Sequence, residues 1–146
     1  VTEEYKNRAT PGEGSLTYDD SYNSKAHKEE IAFAQWLHNK MGGDIHLLNE
    51  QNQNHVKTPD YIWNSKLWDL KSLSSEKAAN SALRKGINQI SGNPGGVMLD
   101  CRKFNVEEKT LLGIIEKRMK WHRDIEVDIM IVKSESDIRV IRYKQI

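Results

Sequence analysis

A chain of 146 residues, 37% hydrophobic and 29% charged, suits one globular domain, long enough for a core but not for two, and indicates neither disorder nor a membrane class. No apolar run approaches the ~20 residues of a spanning helix, no signal peptide is visible, and a single cysteine, Cys101, excludes an internal disulfide or a cysteine-rich zinc site and reads as a small buried apolar residue. The formal net charge of +1 neither supports nor excludes nucleic-acid binding, which depends on local patches. The chain starts Val1-Thr2-Glu3, without methionine, and a piece of a longer polypeptide is the expectation.

Residues 1–24 carry Pro11, Gly12, Gly14 and Asp19-Asp20 among Ser, Asn and Tyr, and read as a linker or extended arm pinned by Tyr18 and Tyr22. Residues 25–146 read as the single domain. Ser24 is the expected cap of a first helix over 25–40, stopped by Gly42-Gly43. On a wheel of ~100° per residue, Ala26, Phe33, Ala34, Leu37 and Met41 form its apolar stripe. Glu30 falls inside that stripe and Glu29 at its edge. A glutamate there needs a partner or a function.

A short strand over Asp44 to Leu48 and a polar loop over 50–56 follow. His46 and His55 match metal ligands by residue type alone, with no second ligand at a recognisable spacing. Tyr61-Ile62-Trp63 and Lys66 to Leu70 flank Asn64-Ser65, a pair suited to a tight hairpin turn. Alternation puts Leu67, Asp69 and Lys71 on one face and Trp68 and Leu70 on the other. The hairpin returns Asp60 towards Asp69 and Lys71. Converging charges of this kind are costly in a core, but suited to a divalent cation and a phosphate.

A second helix starts near Ser74 or Ser75, with Ala79, Leu83, Ile87 and Ile90 as its core face. The segment Ser91 to Gly96 reads as a turn, and Gly96 to Asp100 as a strand apolar on both sides. A third helix is expected over Val106 to Trp121. Two alternating strands, Ile125 to Val132 and Ile138 to Tyr143, form a terminal hairpin. Lys117, Arg118, Lys120, His122 and Arg123 make a basic cluster that suits a solvated helix end or a nucleic-acid patch. The passage from the Asp69 strand through a helix to the Val97 strand implies a parallel crossover. The expected class is α/β, a mixed sheet with helices packed on it.

Pro59-Asp60, a hairpin and Asp69-Leu70-Lys71 together resemble the signature of the PD-(D/E)XK nuclease superfamily. The order of elements is similar to its restriction-endonuclease-like core, α-β-β-β-α-β, with an added helix and a C-terminal β-hairpin. A wider likeness covers nearly the whole chain: Lys57 to Ser72, Gly86-Ile87-Asn88-Gln89-Ile90, Asn93-Pro94-Gly95-Gly96 and Val140-Ile141-Arg142-Tyr143 resemble C-terminal toxin domains of contact-dependent growth-inhibition systems, and similar modules on phage minor head proteins.

The resemblance implies a metal-dependent endonuclease toxin, often a tRNase, neutralised by a cognate immunity protein. It implies a domain of a larger bacterial secreted or phage-borne polypeptide, acting in the cytoplasm of the target cell. Glu30 (or Glu29), Asp60, Asp69 and Lys71 are then the catalytic residues. Asp60, Asp69 and the backbone carbonyl of Leu70 would hold Mg²⁺, and Gln89, Arg84 and Ser72 would contact substrate. RNA, and tRNA in particular, is favoured over DNA by the toxin likeness and by the near-neutral charge, with Trp63, Trp68 or Tyr143 as stacking platforms. Two alternatives stand beside this reading: a DNase of the same fold, and a non-catalytic interaction domain of a phage head or secreted protein, with Asp60, Asp69 and Lys71 as a salt-bridged network.

Overall fold

The computed structural model describes residues 10–49, 58–90, 94–122 and 125–144. Seven strands form one sheet in chain order: β1 (Leu16–Tyr18), β2 (Ile45–Leu47), β3 (Tyr61–Trp63), β4 (Lys66–Ser72), β5 (Pro94–Asp100), β6 (Glu126–Ser134) and β7 (Asp137–Lys144). The pairs β1–β2, β4–β5 and β5–β6 are parallel; β2–β3, β3–β4 and β6–β7 are antiparallel. Helix α1 (Lys28–Lys40) precedes β2. Helix α2 (Ala79–Gln89), entered through a 3₁₀ turn at Glu76–Ala78, connects β4 to β5, and α3 (Glu108–Met119) connects β5 to β6. The fold is a mixed α/β sheet, and the expected α-β-β-β-α-β order is present from α1 to β5.

Alternation along the central strands builds two cores. Val97, Leu99, Val127, Ile129 and Ile131 pack with Leu83 and Ile87 of α2 and Leu111 and Ile115 of α3. Met98, Met130 and Val132 point the other way, to Phe33, Ala34 and Leu37 of α1 and to Tyr61, Trp63 and Trp68. Helices α2 and α3 therefore cover one face of the sheet and α1 the other. Cys101 is fully buried, and burial pushes its thiol up to about 12, so it is an inert core side chain.

Several local expectations are corrected. Residues 16–18 are a strand, β1, on the edge of the sheet, so the N-terminal arm contributes to the domain. Ser24 does not cap α1: the helix starts three residues later than expected, with His27 at its N-cap position and no side-chain cap bond, and Ala26 lies outside it, exposed. Ser75 occupies the N-cap position of the 3₁₀ turn, also without a side-chain bond. Strand β4 runs on to Ser72. Pro94, Gly95 and Gly96 already belong to β5 rather than to a turn, and α3 is shorter at both ends than 106–121. The loop over 50–56, His55, Lys57 and Arg123 lie outside the described residues. No helix among the described residues is long and apolar enough to cross a membrane.

Candidate active site

The hairpin carries the site. Asn64 and Ser65 take φ values of 51° and 70°, the left-handed conformation that a two-residue hairpin turn demands. The resulting register pairs Tyr61 with Trp68, and one step further along it sets Asp60 opposite Asp69. Strand β3 ends there, so beyond Trp68 the outer edge of β4 has no strand partner among the described residues. Asp60 fills the gap: its backbone N–H donates to the Trp68 carbonyl at 3.1 Å, and its Oδ2 accepts from the Leu70 N–H at 2.7 Å. In a strand a residue's N–H and C=O point to the same side, so the Leu70 carbonyl faces this open edge too.

Asp69 lies under α2, almost wholly buried, and Lys71 Nζ stands 2.8 Å from its Oδ2. Gly86 permits this close approach: a Cβ there would sit 2.9 Å from Val97 Cγ2 and 3.4 Å from Asp69 Oδ2. The Lys71 ammonium also donates to Gln89 Oε1 at 2.9 Å, so the crossover helix both roofs the carboxylate and orients the lysine. On the other side, α1 brings Glu30. The Tyr22 hydroxyl donates to Glu30 Oε2 at 3.1 Å, His27 Nδ1 lies 3.4 Å from the same oxygen, and the Tyr61 hydroxyl donates to the Glu30 backbone carbonyl at 2.6 Å.

The electrostatics are those of a site held in tension. Desolvation first, then the charges of Asp69 and Glu30, push Asp60 up to about 9. Desolvation also raises Asp69, against the opposing pull of Lys71. Cross-strand like charges are unfavourable, so the folded site favours a proton on Asp60. Asp69 Oδ2 is buried and, its ionic contact with Lys71 apart, accepts no well-directed hydrogen bond among the described residues. Two oxygen-donor side chains, one with a spare buried lone pair, and a strand-edge carbonyl fit a hard divalent cation. No group of three or more His, Cys, Asp or Glu side chains converges as a complete metal site among the described residues, so any such ion would keep waters as ligands.

The raised Asp60 pKa has a definite consequence for stability. The folded chain keeps a proton that the unfolded chain releases near the ordinary value of 3.8, so the stability this group contributes is complete below that pH and is lost as pH rises towards 9. Asp60→Asn keeps the shape and cannot ionise. In EDTA, its thermal stability relative to wild type should improve steadily from pH 4 to 8; a difference that stays constant across that range contradicts a raised Asp60 pKa.

The structure thus brings Asp60, Asp69, Lys71, Gln89 and the Leu70 backbone together, with Glu30 on the facing helix. Glu29 points away: its side chain is 79% exposed and lies 3.5 Å from Lys103 Nζ. Arg84 is exposed on α2 and forms no ion pair with Asp60 or Asp69. Ser72 lines a cleft beside the site, with Glu30 and Leu70. Trp63 and Trp68 are each about 1% exposed and pack edge to face, ring centres 5.3 Å apart, so neither is a stacking platform for bases. Tyr143 is partly buried against the α2–α3 core. His46 is engaged structurally, between Thr17 Oγ1 and Asp19 Oδ1, each at 2.7 Å. Sequence reasoning gave Tyr22 only an anchoring part and gave Tyr61 and His27 no part near Glu30. For Tyr61, adjacency to Asp60 was the one signal available.

The fold and site define a mixed α/β domain with a carboxylate–lysine cluster at the open edge of a hairpin strand. The chain belongs to the family described as "Contact-dependent growth inhibition CdiA C-terminal domain", which matches residues 57–138. That span holds Asp60, Asp69, Lys71 and Gln89. The fold is similar to that of a chain in the "CdiA-CT/CdiI toxin and immunity complex from Burkholderia pseudomallei", with a TM-score of 0.52 and 14% identity, over 87% of this chain and 99% of that one. No curated protein matches the sequence.

Proposed function

We propose that this toxin domain is a metal-dependent endonuclease of the PD-(D/E)XK type that cleaves RNA, and tRNA in particular. The observation that carries the reading is the convergence of Asp60, Asp69 and Lys71 at the strand edge, with the Lys71 ammonium 2.8 Å from the buried Asp69 Oδ2. Asp60, Asp69 and the Leu70 carbonyl would hold Mg²⁺, which when bound supplies positive charge at the phosphate and lowers the pKa of an attacking water. Lys71, steadied by Gln89, steadies the charge that develops on the phosphate oxygens. Glu30, fixed by Tyr22, orients the attacking water from the α1 side. Ser72, on the wall of the cleft beside the site, would contact the substrate strand.

RNA is favoured over DNA by the near-neutral charge of +1, since a protein engulfing duplex DNA meets one phosphate charge per ~1.7 Å. An immunity protein covering the cleft would be the natural inhibitor, in keeping with the toxin and immunity complex of similar fold. The domain would belong to a larger secreted polypeptide and act in the target-cell cytoplasm. Incubation of the protein with total RNA and with supercoiled plasmid, with Mg²⁺ or EDTA, tests the reading. Cleavage of tRNA that EDTA abolishes is the expected result. Plasmid nicking beside intact RNA would make it a DNase instead, and no cleavage of either would favour the interaction-domain alternative.

A further inference from the structure

A cleft of about 420 Å³ lies between the start of α1 and the end of β4, lined by Lys25, His27, Lys28, Glu29, Glu30, Leu70 and Ser72, among others. Neither Asp60 nor Asp69 lines it, but Leu70, whose N–H is held by Asp60, forms part of its wall. Its charges are unevenly committed. Glu29 is turned out towards Lys103 and Glu30 accepts from Tyr22, whereas Lys25 and Lys28, both exposed, have no acidic partner within ion-pair distance among the described residues.

A row of rings leads away from the same wall. His27 stands 5.5 Å from Tyr22, and Tyr22 stands 5.5 Å from Tyr18, centre to centre. Tyr18 is 41% exposed, one of two large apolar side chains open to solvent among the described residues, with Trp121. Uncommitted cations at a nucleotide-sized cavity, with an exposed ring at the far end of a ring row that starts from its wall, are the elements of a single-strand subsite: ammonium groups for the backbone and a ring for a base. A pocket of this size accommodates one small ligand, not a base pair with both its backbones.

We propose that this cleft and the Tyr18–Tyr22–His27 row seat an unpaired nucleotide adjoining the scissile phosphate, with Lys25 and Lys28 on its phosphate and Tyr18 against its base. The assignment rests on the nuclease reading above and narrows it to unpaired segments, such as loops and ends. It also gives the N-terminal arm, through β1 and Tyr18, a part in choosing substrate.

The test is fluorescence anisotropy of the full chain with a labelled single-stranded oligoribonucleotide and with its duplex, Ca²⁺ replacing Mg²⁺ to hold cleavage back. Wild type should prefer the single strand. The double variant Lys25→Gln/Lys28→Gln should bind it about tenfold more weakly and flatten the slope of log affinity against log salt by about 1.4, at ~0.7 per lost single-strand phosphate contact. Tyr18→Ala should weaken it roughly fivefold, at the low end for base stacking. Thermal unfolding at the wild-type temperature excludes misfolding of these surface variants. Tight single-strand binding with an unchanged salt slope in the lysine variant, or equal affinity for duplex, overturns the cleft assignment while leaving the nuclease intact. Failure to bind either form overturns the nuclease reading and the cleft with it.

Discussion

Asp69→Ala should cleave RNA at least ~10²-fold more slowly than wild type, and Lys71→Ala should fall as far. Their causes differ and can be separated. Removal of the Asp69 carboxylate takes away a ligand and relieves Asp60 of its neighbouring charge, so Mg²⁺ affinity should drop with the rate and the Asp60 pKa should fall. Removal of Lys71 takes away the group 2.8 Å from Asp69 Oδ2 and leaves both carboxylates in place. Metal binding then survives while the rate does not. A burst-free single-turnover assay beside a Mg²⁺ titration reads both quantities. Wild-type rates in both variants would remove these residues from the chemistry, and the cluster would be a salt-bridged structural network.

The largest effect on stability is expected at Trp68. Its side chain is about 1% exposed, stacks edge to face on Trp63 and belongs to the core under α1. Trp68→Ala should cost about 3–5 kcal/mol, the usual range for truncating a buried large aromatic. For a domain of this size, that is a substantial part of the whole stability. Chemical denaturation followed by circular dichroism measures it. If Trp68 were instead a platform for bases, the same variant would unfold at the wild-type midpoint and lose nucleic-acid affinity, contrary to its burial.

The two tryptophans also show what was legible in the sequence and what was not. The period of two placed Trp68 and Leu70 opposite Asp69 and Lys71, and the structure keeps that division. The same alternation, followed one step further, puts Trp68 under the α1 core rather than in solvent. Aromatic residue type alone had suggested a base platform. The hairpin was readable because Asn64 and Ser65 tolerate the backbone that its turn imposes, and the crossover because α2 repeats its apolar residues at helical spacing. Glu30 was visible as a charge within an apolar stripe.

What escaped depended on distant partners. Strand β1 is three residues in a Gly- and Ser-rich arm, without a strand pattern of its own, and exists by parallel pairing with β2. Ser24 has the chemistry of a cap, but the segment from Asn23 to His27 turns before the helix begins, and the Asn23 side chain takes the Ala26 N–H instead. The contacts of Tyr22 and Tyr61 with Glu30 join residues 8 and 31 apart, a separation that no local signal encodes.

Asp60, Asp69 and the Leu70 carbonyl are proposed to hold a divalent cation together. Anomalous diffraction from a crystal of the protein soaked in Mn²⁺, an anomalous scatterer standing in for Mg²⁺, tests it most directly. The account predicts a peak about 2.1 Å from an oxygen of each aspartate and from the Leu70 carbonyl, with Lys71 still beside Asp69 and the Asp60 proton displaced. Absence of any peak at that edge at saturating Mn²⁺, with Asp60 still accepting only from the Leu70 N–H, would contradict it.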